Sequence, residues 1–220
     1  MRKGFFIVVE GADGAGTTTI SKHLADMFSV VAGKEQVVLT HEPSDYEIGK
    51  FIRKILKKEI NVESGLAMLH LFLADRVEHV NRTIIPAIND GKIVISDRYY
   101  PSMFVYQSVK NNCLEKSLER MKWFLNNDIV IDGITEPDII LYLRCTEDVS
   151  KDRRKTRGDE EEKYENDEFQ RVVIKLYDLF FNFSGLGFRY KKVDANQELK
   201  EVKRESFLGA LSIFSRIGSF

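Results

Sequence analysis

Short apolar runs alternate with longer stretches of helical spacing along the whole of this chain. Phe5-Phe6-Ile7-Val8-Val9, Gln36-Val37-Val38-Leu39-Thr40, Lys92-Ile93-Val94-Ile95-Ser96, Asp138-Ile139-Ile140-Leu141-Tyr142-Leu143 and the segment from Arg189 to Val193 predict five strands. Runs this apolar and this short belong to strands covered on both faces. Between them, apolar positions recur every three to four residues. That spacing predicts helices over Thr18–Phe28, 46–58, Val62–Asn89 with a bend near Pro86, 101–110, 114–127, 165–183 and 198–215. In the second of these, Ile48, Phe51, Ile52 and Ile55 share one face. Alternation of this kind predicts an α/β fold, a five-stranded parallel sheet with helices on both faces, in a single domain over residues 1–220. Ligands of such sheets bind beyond the carboxyl ends of the strands. The residues with chemistry to offer fall there: a glycine-rich turn after the first strand, Glu42 after the second, Asp97-Arg98 after the third.

Charge and composition remove several alternatives. Lys and Arg number 33 against 34 Asp and Glu, a net charge of −1, which argues against nucleic-acid binding driven by charge. Cys113 and Cys145 stand alone without metal-binding spacing and fit a reducing compartment. No apolar run reaches membrane-spanning length, and a strand from Phe5 leaves no room for a signal peptide. A cytoplasmic protein with neither nucleic-acid nor membrane partner is expected.

The turn reads Gly11-Ala12-Asp13-Gly14-Ala15-Gly16-Thr17-Thr18, between a strand and a helix. Such a turn aims successive backbone N–H groups and a positive helix end at one anion, which predicts a phosphate-binding loop and a P-loop NTPase-like fold. The motif G-x-x-x-x-G-K-[ST] requires lysine where Thr17 stands, so the cradle is present without its usual point charge. Thr18 occupies the position of the magnesium-facing hydroxyl. Opposite it, Asp97 suits a hydrated magnesium ion and Arg98 a bidentate clamp on phosphate oxygens; alone, the pair reads equally as a strand-end ion pair. Phe72 and Arg76, four apart on a helix, share a face suited to a flat heterocycle, or to an apolar core with a solvated arginine. Arg153 to Lys163, with Asp159, Glu160, Glu161 and Glu162 in a row, is too polar to pack and predicts a mobile lid over about 150–165. Alone, Arg153, Arg154 and Arg157 read as a solvated face; in a kinase, a basic lid of this kind would supply transition-state charge and exclude water.

Together these motifs resemble the thymidylate kinase family over nearly the whole chain. The resemblance rests on F-I-V-V-E-G-A-D-G-A-G-T-T ending at Thr18, E-P-x-x-x-x-I-G-x-x-I-R from Glu42 to Arg53, L-F-x-A-D-R from Leu71 to Arg76, D-R-Y-x-x-S-x-x-x-Y-Q from Asp97 to Gln107, R-R-x-x-R-G from Arg153 and V-D-A at Val193–Ala195. It implies transfer of the γ-phosphoryl of Mg-ATP to dTMP, with Gly11 to Thr18 holding the ATP phosphates. Asp13 would meet the sugar 3′-hydroxyl, and Arg53 and Arg98 the acceptor phosphate. Phe72 would stack on thymine, Arg76 would donate to its 4-oxygen, and Tyr106 would disfavour a 2′-hydroxyl. Glu42, Ser102 and Gln107 complete the implied dTMP site, and Thr18, Asp97 and Glu165 the magnesium site. The chain departs from the family pattern at Thr17, at Ser44-Asp45 where glycines are usual, and at Lys163 where the lid usually carries arginine. A related deoxynucleotide or deoxynucleoside kinase, acting for example on dUMP, and a nucleotide-binding protein without catalysis remain alternatives. A homodimer is expected through helices 62–89 and 101–127, on the apolar residues Phe104, Val105, Leu114, Leu118, Met121, Trp123 and Phe124.

Overall fold

The computed structural model describes residues 4–126, 134–157, 166–182 and 189–217. Five parallel strands, β1 (Phe5–Gly11), β2 (Val37–His41), β3 (Ile93–Asp97), β4 (Ile139–Arg144) and β5 (Tyr190–Asp194), form one sheet in the order β2-β3-β1-β4-β5. All seven residues of β1 are buried, as its unbroken apolar run requires of a central strand. Its Phe5, Ile7 and Val9 pack with α1 (Thr17–Ala32) and α9 (Leu199–Ile217) on one face. Its Phe6 and Val8 pack with α5 (Tyr100–Ser108), α6 (Leu114–Asn126) and α8 (Asp167–Asn182) on the other. The chain therefore leaves β1 toward one face and β3 toward the opposite face. A crevice opens between their carboxyl ends, the usual place for a ligand in a doubly wound sheet.

Three expectations change. The helix expected over 62–89 is α3 (Gly65–His79), a widened π-helical turn over Val80–Ile84, and α4 (Ile85–Asn89). Pro86 has no N–H to give to the carbonyl four residues back, and the regular ladder ends in the turn before it. The stretch expected to be too polar to pack begins inside a regular helix, α7 (Glu147–Arg157), whose Ser150 is wholly buried. Glu147 and Asp148 in its first turn complement the helix dipole. Lys163 and Glu165, with the rest of the expected lid, lie outside the described residues. Finally, Phe104, Val105, Met121 and Phe124, expected as surplus apolar surface for pairing, are core residues, and Leu114 and Leu118 pack against that core. Trp123 alone of that set is half exposed.

Between α1, α9 and the sheet, Phe28 meets Phe5, Phe207 and Phe214 with ring centroids 5.4–6.5 Å apart in tilted and edge contacts. The ring of Phe28 has no exposed surface. Phe28→Ala removes the centre of this cluster and is expected to lower the unfolding free energy by about 3–5 kcal/mol. Urea titration reads the change as a shift in midpoint at constant slope.

Candidate functional site

Beyond β1 the chain folds back on itself, with the Ala15 N–H donating to the Ala12 carbonyl at 3.0 Å. Gly14 (φ 83°) and Gly16 (φ 94°) take left-handed conformations that a side chain disfavours. At Gly14 the space is closed as well, since a Cβ there would lie 2.5 Å from the Ser150 carbonyl oxygen. No side chain caps α1 at Gly16, so its first N–H groups stay available to an anion in the hollow of the loop. Thr17, in the lysine position, is buried and adds no charge.

Across the crevice, the Thr18 hydroxyl donates to Asp97 Oδ2 at 2.5 Å. The other oxygen, Asp97 Oδ1, is buried without a hydrogen-bond partner among the described residues. A carboxylate oxygen left this way is costly unless something positive meets it. No group of three or more His, Cys, Asp or Glu side chains converges here or elsewhere among the described residues. A divalent cation would therefore rest on Asp97 and Thr18, with phosphate oxygens and water completing its shell, and magnesium is commonly held that way.

Arg98 has a left-handed backbone (φ 72°), rare outside glycine. Its guanidinium spans the crevice: Nη1 donates to the Gly11 carbonyl (2.9 Å) and Ser102 Oγ (3.1 Å), and Nη2 to Asp13 Oδ1 (2.5 Å). The Tyr106 ring lies 5.3 Å beneath it. Burial pushes the Tyr106 phenol up, against the pull of Arg98. Asp13 is held from α8 too, its Oδ2 accepting from Gln170 Nε2 at 2.6 Å. Neither Gln170 nor Glu10, a wholly buried carboxylate behind Arg98, was singled out from the sequence. Glu10 had a signal there, being a charge inside a strand otherwise apolar on both faces.

Next to Arg98 a cavity runs between α3 and α5. Phe72, Arg76, Tyr99, Ser102, Tyr106 and Gln107 line it, together with Glu42 and Asp13. The shared face of Phe72 and Arg76 is thus a wall of a site. Arg76 is almost wholly buried, with Nε and Nη2 donating to Glu42 Oε2 (2.9 and 2.6 Å) and Nη1 to Met103 Sδ (3.1 Å). The second Glu42 oxygen faces His79 Nδ1 at 3.2 Å, and His79 Nε2 lies 2.6 Å from the Thr40 hydroxyl. His79, unremarkable in the sequence, thus helps to fix the carboxylate that fixes Arg76.

Arg53 stands at the rim rather than in the wall. It donates to the Pro43 carbonyl (2.6 Å) and Asp45 (3.1 Å), just after a cis Glu42–Pro43 bond. Ser44 takes up buried Asp75 through both its N–H (2.8 Å) and its hydroxyl (2.5 Å), which explains how a residue other than glycine fits there. On α7, Arg153 Nη1 reaches the Gly14 carbonyl at only 3.5 Å. Arg154 is committed to Ser150 and to Asp167 (2.7 Å), and Lys151 and Arg154 hold the Asp167 carboxyl below its ordinary range. Arg157 is the last residue of α7.

A sequence model described as thymidylate kinase matches residues 9–206. A probable thymidylate kinase from Pyrococcus abyssi is 32% identical over 218 residues, covering 94% of this chain and 99% of that protein. A thymidylate kinase from Ureaplasma parvum is 31% identical over 97% of this chain and 92% of its own length. The crystal structure of thymidylate kinase from Ehrlichia chaffeensis superposes with a TM-score of 0.64 at 26% identity, over 96% of this chain and 98% of that one.

The Glu42–Arg76 pair sets a cost on its own disruption. Glu42→Ala leaves a guanidinium buried without its counter-charge and is expected to destabilise the fold by about 3–5 kcal/mol. Thermal and urea unfolding of the variant measure this directly.

Proposed function

Because the chain belongs to the thymidylate kinase family, we propose that the cavity beside Arg98 takes dTMP while the loop from Gly11 to Thr18 takes the phosphates of Mg-ATP. The chain is an ATP-dependent nucleoside monophosphate kinase, and its reaction gives dTDP and ADP. One observation carries the site assignment. A phosphate cradle, the Asp97–Arg98 pair and a wall of Phe72 and Arg76 meet in the crevice between β1 and β3. The alternatives are not favoured. A nucleoside acceptor without phosphate would bring no anion to Arg53 and Arg98.

In this reading Phe72 stacks on thymine, and Arg76, aimed by Glu42, donates to the 4-oxygen. Gln107 lies near the base, and Tyr106 stands where a 2′-hydroxyl would project. Asp13, with four lone-pair sites, keeps Arg98 and Gln170 and still accepts from the sugar 3′-hydroxyl. Arg98 and Arg53 take the acceptor phosphate, with Ser102 behind Arg98. Phosphoryl transfer needs in-line placement and neutralised charge, so these residues act by positioning and by field. Magnesium bound at Asp97 and Thr18 would neutralise charge on the donor oxygens, and the residues there fit it; Glu165 is the further ligand the resemblance implies.

The loop lysine usually neutralises the β- and γ-oxygens, and Thr17 does not. We assign its work to the lid. Arg153 already stands at the loop, while Arg154 must exchange Asp167 for the donor, and Arg157 is the third candidate. Two apolar side chains left half exposed, Leu66 on α3 and Trp123 on α6, support a homodimer through the long helices. The free thiols Cys113 and Cys145 fit a cytoplasmic setting, and no helix among the described residues is long and apolar enough to cross a membrane.

The chain is expected to form ADP faster with dTMP than without it. Replacing Arg153, Arg154 and Arg157 together by alanine is expected to lower kcat at least about 100-fold while dTMP binding holds. Turnover at the parent rate would take the lid out of catalysis, and no dTMP-dependent ADP from the parent would refute the kinase reading. Light scattering is expected to show twice the mass of one chain; a particle of single-chain mass would overturn the dimer.

A further inference from the structure

Glu10 stands at the end of β1, wholly buried, and its carboxylate is met by four donors. Oε1 accepts from the Tyr99 N–H (2.8 Å) and the Ser102 N–H (3.3 Å). Oε2 accepts from the Ser102 hydroxyl (2.7 Å) and the Tyr177 hydroxyl (2.8 Å). Four lone-pair sites and four donors leave the ionised carboxylate fully satisfied. Burial pushes this carboxyl up, while Arg98 and the hydrogen bonds from Ser102, Tyr177 and Tyr99 pull it back.

Tyr99 and Ser102 bear on Arg98 directly, and Tyr177 bears on it through Ser102, whose hydroxyl lies 2.8 Å from the Tyr177 hydroxyl. Tyr99 is the N-cap of α5 and its side chain makes no capping hydrogen bond; Ser102 is the third residue of that helix. Glu10 therefore caps α5 from a strand, taking the Ser102 N–H that a serine or aspartate at the cap would take and the Tyr99 N–H that a capping-box glutamate would take, and adding a negative charge at the positive helix end. The same Tyr99 N–H follows directly on the left-handed backbone of Arg98, whose own N–H donates to Val9. A strained residue persists where its neighbours over-determine it, and Glu10 supplies one fastening beside the Val9 carbonyl and the Ser96 hydroxyl, which donates to the Arg98 carbonyl at 2.7 Å. Ser102 gives its hydroxyl proton to Glu10, which turns the lone pairs of Oγ toward Arg98 Nη1.

We propose that Glu10 is a positioning residue for the acceptor phosphate, setting the backbone and the guanidinium of Arg98 through Tyr99, Ser102 and Tyr177 without touching substrate. The proposal rests on the reading of Arg98 as a ligand of that phosphate. In Glu10→Gln one oxygen becomes an amide donor; with the other kept on the two N–H groups of the cap, the amide faces the Ser102 and Tyr177 hydroxyls, and the Ser102 proton must turn away from it.

The test compares binding of dTMP with binding of thymidine, which keeps the base and sugar and lacks the phosphate. Calorimetry on Glu10→Gln is expected to show thymidine affinity within about twofold of the parent and dTMP preference reduced at least about tenfold. In kinetics, KM for dTMP rises and kcat falls, with KM for ATP unchanged. A merely structural role would lower both affinities in step with Tm and leave their ratio intact, overturning the proposal. Tyr177→Phe keeps the ring stack on Tyr142 and removes a single donor, so it serves if Glu10→Gln does not fold. It is expected to reduce the ratio by a smaller factor, and an unchanged ratio there is equally an overturning result. Arg98→Ala separates the two levels. If it collapses the ratio while Glu10→Gln and Tyr177→Phe preserve it, the positioning role falls alone. If it preserves the ratio itself, the reading of Arg98 falls and this proposal with it.

Discussion

The ion pair between Asp13 and Arg98 joins the turn after β1 to the turn after β3, and the rest of the site is built around it. One guanidinium holds the loop carbonyl of Gly11, the loop carboxylate of Asp13 and the hydroxyl of Ser102 at once. Through Asp13 the same pair reaches α8, by Gln170, and α7, by the Ser150 hydroxyl on the Asp13 carbonyl. The side chains of the pair are about one-fifth exposed, so solvent screens them less than a surface pair and more than the core pair of Glu42 and Arg76. That intermediate setting suits a group that must hold its place yet exchange partners with an anion.

The strands were legible because both faces of the sheet are covered. Burial on two sides leaves little but Ile, Val, Leu and Phe in β1, β3 and β4, and those runs announce themselves. The glycine loop, Asp97-Arg98 and the Phe72–Arg76 face were legible for a different reason: each is a local spacing with a local physical meaning. What escaped was whatever depends on distant partners. Glu10 finds its donors 89, 92 and 167 positions away, and no local pattern points to them. Helix α7 escaped because it packs through polar atoms, which hydrophobic periodicity does not register. Phe104 and Phe124 were misjudged as surface because a helix between two others buries more than one stripe.

The departure at Thr17 is narrower in its consequences than the motif suggests. The backbone cradle depends on the left-handed glycines and on the uncapped start of α1, and neither involves the lysine side chain. What the substitution removes is charge at one point of the crevice. Two of the candidate cations are already engaged, Arg98 by Asp13 and Arg154 by Asp167, while Arg153 reaches the Gly14 carbonyl of the loop. An incoming polyphosphate competes for those cations rather than meeting them bare.

The close approach of Ser150 to Gly14 carries this one step further. Because α7 lies against the loop with no room for a methyl group between them, the loop and the helix form one mechanical unit. If a donor nucleotide binds the loop as proposed, whatever free energy it gains by adjusting the loop is shared with the helix, and linkage makes the exchange reciprocal. A change that loosens Arg154 from Asp167 alters donor affinity by the same factor by which the donor alters that pairing. On the proposed reading, the half-exposed Asp167 carboxylate, through Arg154 and Ser150, would carry the influence of salt and acidity to the nucleotide site.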